Sequence, residues 1–544
     1  MSYINSEYNF YGRNDILDTL KKRVSDLKEG YRQNVALLGN RYVGKSITLR
    51  HFFTNLDDDQ VIAIYLDLDN KDFRYFVSKF VGSLLYNYSK NQKLPLHDDL
   101  ALLMEGVKER IPHTISVIKK IQTDLHGKKF NAVFLGLMTL PEIFTNETDK
   151  FCVLVVDEFQ NLNDFVLTNV FQELGKKIMT QKKSLYVFSS SYQGIAKKIL
   201  SEKLSLLFGN FEILPVETFD LADSQKFIEH NLNSVNIGSQ LSNFLTDFTG
   251  GHPLYLNLIS QELTNLSAIH KQGEIYMPLL SQSIENTIFD RWGVLSRHFE
   301  LIINELCAGK GNEMNSALLM SLANGHHKLD DLSEDMDIKR SQVTQKITRL
   351  MEMGIVIKNG RLYYFKDRLF KYWIKYVYQK RLKDVELAPD KQRRKFKEEI
   401  NRAFDVFSST SRKDFSSRVM ELFNCFDNES FDLNGRKYKL PRFETIEPIK
   451  LRNENGTLID VLRASSQSAV WFIILKQDSL GEGDVNAVLA ESKSMKPKPE
   501  RCLIITLSNL DEHAKLKALQ ERCWIWNEEE LNILLTLFDK PFIS

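Results

Sequence analysis

The sequence predicts an α/β protein whose first domain is built on a parallel sheet, with a helical segment, a helix-turn-helix with hairpin, and a second α/β segment behind it. Three observations predict this. The apolar run "NVALLG" (Asn34 to Gly39) leads into a glycine-rich stretch, "GNRYVGKS" (Gly39 to Ser46), and then into helical spacing at Ile47, Leu49, Phe52 and Phe53. Further runs of strand length follow at "VIAIYLDLD" (Val61 to Asp69), "CVLVVDEFQNL" (Cys152 to Leu162), "SLYVFSSS" (Ser184 to Ser191) and "FEILPV" (Phe211 to Val216). The chain, 544 residues with 43% hydrophobic and 11% aromatic content, is long enough to bury several cores, about three or four domains.

Lys plus Arg (72) nearly cancels Asp plus Glu (71), so no global positive field recruits nucleic acid and any such contact must come from a local patch. Five cysteines, Cys152, Cys307, Cys425, Cys502 and Cys523, show no CxxC spacing, which excludes a disulfide framework and a zinc site and predicts buried thiols in a reducing compartment. The N-terminal stretch lacks a basic segment followed by an apolar core, and no run of about 18 apolar residues occurs. These observations predict a cytoplasmic protein without a membrane partner.

A strand, a glycine-rich turn and a helix in that order form a cradle for phosphate. Backbone N–H groups of Gly39, Asn40, Arg41, Tyr42, Val43 and Gly44, with Lys45, Ser46 and Ile47 at the helix start, surround the β-phosphate. Lys45 neutralises β- and γ-oxygens, and Ser46 offers a hydroxyl to Mg²⁺. The expected ligands are ATP or ADP and Mg²⁺. The run "CVLVVDEFQNL" ends in two acids at the edge where open α/β sheets bind ligands, so Asp157 is expected at the Mg²⁺ and Glu158 as the base that orients and deprotonates a hydrolytic water. The strand ending at Ser189, Ser190 and Ser191 puts a small hydroxyl, here Ser190, beside the γ-phosphate.

With "FYGRND" (Phe10 to Asp15), "VVDEFQ" (Val155 to Gln160), "TGGHPLYLNLI" (Thr249 to Ile259) and "YYFKDRLFKYWIKYV" (Tyr363 to Val377) in this order, the chain resembles the archaeal-type ATPases of the STAND branch of AAA-like P-loop proteins over roughly residues 8 to 385. The resemblance implies that Arg13 and Pro253 lie near the nucleotide base and that His252, at the start of a lid helix, senses the phosphates. Two departures stand out: Arg368 occupies a position where proline is usual, and "LLFGNFEI" carries Asn210 where the family commonly has an arginine finger for a neighbouring subunit. The second departure argues for slow turnover, since such fingers contribute on the order of a thousandfold or more in rate.

The domain boundaries expected are 1–219 for the P-loop ATPase core, 220–290 for the helical lid that closes one wall of the site, 291–385 for a winged helix, 386–404 for a charged linker helix, and 405–544 for a restriction-endonuclease-like domain. The winged helix rests on a second helix from Arg340 to Met353 and two strands around Asn359-Gly360. Arg340, Gln342, Lys346 and Arg349, with Lys339, make that helix compatible with contact to double-stranded DNA. The linker's basic group, Lys391, Arg393, Arg394, Lys395 and Lys397, reads as a solvated helix face. In the last domain, Asp460 and Lys476 stand where a nuclease of that fold keeps an acid and a lysine, but Ile474 replaces the second acid, which predicts an inactive domain kept for docking a protein partner. Three functional readings stay open on the sequence: an ATP-driven conformational switch, a DNA-associated ATPase in transposition, repair, defence or transcription control, and a nucleotide-bound scaffold that does not hydrolyse. An oligomer fits any of them.

Overall fold

The computed structural model describes residues 10–69, 72–204, 211–233, 235–309, 312, 314–383, 389–433, 435–452, 458–467, 469–477, 481–494, 498–508 and 511–543. The chain forms two compact units. One runs to Phe219 and includes His252–Leu254 and Arg349–Ile355; the other comprises Asp220–Gly251, Tyr255–Thr348 and the residues from Val356 onward.

In the first unit, strands β1 (Asn34–Gly39), β2 (Val61–Asp67), β3 (Phe151–Asp157), β4 (Ser184–Ser190) and β5 (Phe211–Val216) form one sheet in the order β2-β3-β4-β1-β5. Every pair is parallel. Burial on both faces explains why the central strands β1, β3 and β4 are buried along nearly their whole length, whereas the edge strand β5 is only partly covered. Val35, Leu37, Val153, Val155, Leu185 and Val187 pack on the helix Asn14–Lys28 through Ile16, Leu20 and Val24. The other face, with Ala36, Ile62, Leu154, Tyr186 and Phe188, carries the largest core of the unit.

That core extends into a segment that carries no motif of its own. Between β2 and β3 stand four helices, Phe73–Asn91, Leu100–Val107, Pro112–His126 and Phe130–Thr148. Their buried residues recur at helical spacing, as in Phe76, Phe80, Leu84 and Ile115, Ile118, Ile121. The crossover is therefore a small helical layer in its own right.

The second unit begins with helices Leu221–Leu232, Ser239–Thr249 and Met277–Ile284 and most of the helix Pro253–His270, with the short strands β6 (Asn236–Ile237) and β7 (Glu274–Ile275) between them. Helices Val294–Cys307, Asn315–Ala323 and Leu329–Asp335 and most of the helix Arg340–Glu352 follow, then an antiparallel hairpin of β8 (Val356–Asn359) and β9 (Leu362–Phe365). The stretch expected as a charged linker helix falls, from Pro389 onward, in one longer helix, Pro389–Ser411, whose apolar side packs into this unit. Phe396 and Ile400 are buried, Phe404 and Phe407 meet Phe244, and Lys397 pairs with the buried Glu285 at 2.7 Å. Of its basic group, Lys391, Arg393, Arg394 and Lys395 are exposed, as expected of a solvated face, while Arg393 also pairs with Asp290 at 3.2 Å.

The last segment has the helix Phe415–Phe423, a hairpin of β10 (Ser430–Leu433) and β11 (Arg436–Lys439), and a five-stranded sheet of β12 (Thr445–Arg452), β13 (Leu458–Ser465), β14 (Val470–Lys476), β15 (Arg501–Thr506) and β16 (Trp524–Trp526) in that order. β12, β13 and β14 are antiparallel, while β14, β15 and β16 are parallel. The two faces bury separate cores, one with Leu462, Ile473, Leu503 and Trp526, the other with Val461, Ile474, Ile504 and Val488. The five cysteines are free thiols; Cys152 and Cys523 are buried as expected, but Cys307, Cys425 and Cys502 are only half-buried. Among the described residues, no helix is long and apolar enough to cross a membrane.

Candidate functional site

β1 ends at Gly39, where a Cβ would collide with the carbonyl oxygen of Val216 on β5, so glycine alone lets the two strands close together there. The loop then turns through Tyr42 (φ 61°) and Gly44 (φ 105°), both left-handed, before the helix Lys45–Thr54. Tyr42 thus adopts a conformation that costs a non-glycine residue energy, which is a common signature of a functional turn. Lys45 is 3% exposed, and its ammonium donates to the carbonyls of Gly39 (3.1 Å) and Asn40 (2.7 Å) and to Ser191 Oγ (2.9 Å). A buried ammonium bonded to neutral oxygens at a helix N-terminus is suited to an anion. The hydroxyl of Ser46, half-buried in the first turn, makes no hydrogen bond among the described residues. This donor set fits a nucleotide phosphate with its Mg²⁺.

β3 and β4 bring the acids to this loop. Asp157 is 1% exposed; it accepts a hydrogen bond from the Tyr65 hydroxyl on β2 at 2.8 Å and another from Ser189 Oγ on β4. Burial, and then the Asp157 charge, push the Tyr65 phenol well above its ordinary range, so it stays a donor. Arg50, one turn after the loop, lies over the Tyr65 ring at 5.8 Å. Glu158 has a left-handed backbone (φ 54°), and its carboxylate accepts from the backbone N–H of Ser191 at 3.0 Å, from Gln160 Nε2 at 2.7 Å and from Ser191 Oγ. The Ser191 hydroxyl therefore bridges Lys45 and Glu158.

Of the residues expected here, Gly39 to Ile47, Asp157 and Glu158 come together. Ser190 does not reach the acids: its side chain accepts from the backbone N–H of Tyr192 at 3.1 Å, while Ser189 and Ser191 point to Asp157 and Glu158. The alternation of side chains along extended backbone carries the signal, because Ser189 on β4 and Ser191, the residue just after it, are both turned to the acids while Ser190 between them is not. Tyr65 and Gln160 left no comparable mark in the sequence. Arg13 (φ 61°) donates to the carbonyls of Val43 (3.3 Å) and Glu217 and lies over the Phe219 ring at 4.8 Å, tying the loop to the chain beyond β5. His252 Nε2 lies 3.1 Å from the carbonyl of Arg41, and Pro253 opens the helix Pro253–His270. Asn210 lies outside the described residues.

The other candidate residues are placed elsewhere. Arg340, Gln342 and Arg349 are exposed and Lys346 is half-buried on the helix Arg340–Glu352. Arg340 pairs with Asp330 of the preceding helix at 2.7 Å. The match of Asp460 with Lys476 does not hold. Asp460 pairs in register with Leu475, so it shares a face with Leu462 and Leu475, whereas Lys476 lies on the opposite face with Ile474. Lys476 instead bonds to Asp484 at 3.1 Å. Among the described residues, no group of three or more His, Cys, Asp or Glu side chains is arranged to hold a metal ion.

Residues 9–180 match the family model described as AAA ATPase domain. No curated protein matches the chain. Among solved structures, a Walker-type ATPase of Pyrococcus abyssi is 14% identical, with a TM-score of 0.47 over 68% of this chain and 97% of that one. The ORC2 protein of Aeropyrum pernix, in ADPNP and ADP complexes, is 9% identical with a TM-score of 0.42 over 69% and 97%. The RuvB Holliday junction branch migration motor of Thermotoga maritima is 14% identical with a TM-score of 0.34 over 67% and 96%. These are distant likenesses. The family match, together with the all-parallel sheet and the glycine-rich loop at the end of β1, marks residues 9–180 as an ATPase domain of the AAA class of P-loop NTPases.

Proposed function

We propose that the chain is a slow, Mg²⁺-dependent ATPase that acts as a conformational switch, with Gly39 to Ile47 holding the nucleotide and Glu158 as the base. The observation that carries the reading is the bridge from Lys45 through the Ser191 hydroxyl to Glu158. Phosphate recruits the Lys45 ammonium, and loss of that partner leaves the Ser191 hydroxyl to respond at Glu158. Mg²⁺ held through Ser46 and Asp157 would supply charge neutralisation on the phosphates. Tyr65 and Ser189 keep the Asp157 carboxylate oriented. Glu158 receives the proton of the attacking water, a role whose usual contribution is about a hundredfold or more. Arg13 and Pro253 lie toward the base and His252 toward the phosphates in this reading. The Asn210 substitution supports slow turnover.

The output lies in the second unit, with a domain order of lid (220–290), winged helix (291–385) and a nuclease-like domain that does not cut. The placement of Asp460 and Lys476 on opposite faces supports the last point, since two carboxylates and a lysine must converge for metal-assisted cleavage. In a hydrogen-exchange experiment on Glu158→Gln, saturating MgATP should change protection in Ser239–Thr249, the helix that runs into His252, and in the C-terminal segment 539–543. Bound MgATP with exchange unchanged in both would contradict the switch and leave a static scaffold.

A further inference from the structure

Arg340, Gln342, Lys346 and Arg349, the residues expected at double-stranded DNA, lie on the helix Arg340–Glu352. The structure weakens that surface, because the helix before it, Leu329–Asp335, carries Asp330, Asp331, Glu334 and Asp335, and Arg340 is already paired with Asp330. In a helix-turn-helix the first helix crosses the phosphate backbone, and these acids would repel it.

A second cationic surface lies beside it. The hairpin β8–β9 packs edge-on against the hairpin β10–β11: the buried side chain of Asn359 donates to the carbonyl of Asp432 at 2.8 Å and accepts from its backbone N–H. Gly360 (φ 61°) sits at the tip, where a Cβ would collide with the carbonyl oxygen of Ser430, so only glycine permits this approach. Tyr364 is buried in the same core as Phe431 and Tyr438, and the half-buried Ile357 packs against that core. The two hairpins thus form one rigid ledge within the second unit, assembled from segments about seventy residues apart in sequence. Lys358, Arg361, Arg436, Lys437, Lys439 and Arg442 are all exposed on it. Among the described residues, the first five make no ion pair, and Arg442 reaches only Asp427 at 4.0 Å. The acids of the two hairpins are Asp432, whose carboxylate accepts from the Gly435 N–H, and Glu429, which is buried and paired with Lys328 at 3.0 Å. In a chain of formal net charge +1, this is a strong local excess.

We propose that this ledge binds the phosphate backbone of double-stranded nucleic acid without reading its sequence. The charge calls for a polyanion. Single strands are held by stacking bases on exposed aromatic rings, and here Tyr363, Tyr364 and Tyr438 are all buried. Membrane surfaces are held by apolar side chains beside the basic ones, and among the described residues none of the large exposed hydrophobics lies on either hairpin. What remains suits a duplex backbone contacted by lysine and arginine.

The test is fluorescence anisotropy of a labelled duplex with the full chain, over roughly 50 to 200 mM salt. Binding should weaken with salt, and Arg361→Gln/Lys437→Gln/Lys439→Gln should weaken it about tenfold or more while lowering the log–log salt slope by about one per residue removed. The pair Lys437→Gln/Lys439→Gln, which changes only exposed side chains, should show a proportionate loss. ATP turnover of these variants checks their folding, and Lys45→Ala should still bind duplex, so failure of the ATPase reading and failure of this one are separable. The proposal is overturned if the wild-type chain does not bind duplex, if the triple variant binds as the wild type does, if Arg340→Ala/Arg349→Ala accounts for all the loss, or if phosphatidylserine vesicles compete as well as duplex.

Discussion

The loop from Gly39 to Ser46 and the junction around Arg368 solve similar problems, holding charge in place, by opposite means. The loop does so with consecutive residues, and its residue types follow backbone geometry: glycine where β1 meets β5 and where φ reaches 105°, lysine and serine at the helix start. The junction uses side chains from four distant segments. Arg368 pairs with Asp247 at 2.8 Å, donates to the carbonyl of Lys540 at 3.2 Å and lies over the Phe542 ring at 4.6 Å. The backbone N–H of Phe542 donates to the same Asp247 carboxylate at 3.0 Å, across 295 positions of sequence. Arg418 donates to the carbonyls of Pro541 and Phe542, both at 2.7 Å, and Lys371 pairs with Asp539. Arg368 is therefore the centre of a clamp that fastens the C-terminal segment to the helix Ser239–Thr249. Backbone-dictated sites leave a contiguous signature; side-chain clamps leave none.

The comparison predicts different kinds of damage. Lys45→Ala should lower MgATP affinity by two orders of magnitude or more while leaving thermal stability nearly unchanged, because the loop loses its cation and little packing. Calorimetric titration checks it, and equal affinity in both proteins would place the phosphates elsewhere. Arg368→Ala should do the reverse: about 2 kcal/mol or more of stability lost in the second unit, since Asp247 keeps its burial and loses its cation, with MgATP affinity retained. Denaturant unfolding monitored in that unit reads the change, and an unaltered midpoint would mean that the clamp is ornamental. Ser191→Ala should lower turnover by roughly tenfold with KM almost constant, the pattern of a positioning residue for Glu158; a change confined to KM would assign Ser191 to binding instead.

The smallest effect concerns His327, whose ring Nδ1 lies 2.9 Å from the carbonyl of Tyr363 on β9. Burial, with Lys371 nearby, depresses the His327 pKa below 6.5. A histidine whose folded pKa lies below its unfolded one favours the folded state less as the unfolded chain takes up its proton, so stability should decline by a fraction of a kcal/mol as pH falls below about 6.5 and level off below the folded pKa. His327→Gln should flatten that part of the stability profile relative to the wild type. A slope identical in both proteins would remove His327 from the account.

The strands β1, β3 and β4 were legible because fully buried parallel strands are apolar along most of their length, and the loop because its backbone restricts its residue types. The four helices between β2 and β3 carry a periodic apolar face, with Phe76, Phe80 and Leu84 as its spine, but no motif drew attention to them. In the helix Pro389–Ser411 the dense lysines and arginines concealed an apolar stripe at Phe396, Ile400, Phe404 and Phe407. Strand parity, which is readable, separates Ser191 from Ser190. Strand register, which is not, decides that Asp460 faces away from Lys476. The Arg368 clamp and the paired hairpins arise from contacts between segments that only folding brings together.

The most direct test of the account is phosphate release at saturating MgATP by the wild type and by Glu158→Gln. The account predicts slow but measurable release by the wild type and a rate lower by roughly a hundredfold or more in the variant, with nucleotide affinity nearly unchanged. Release at the same rate in both proteins would contradict it, because the carboxylate that Ser191 and Gln160 hold beside Lys45 would then have no part in the chemistry.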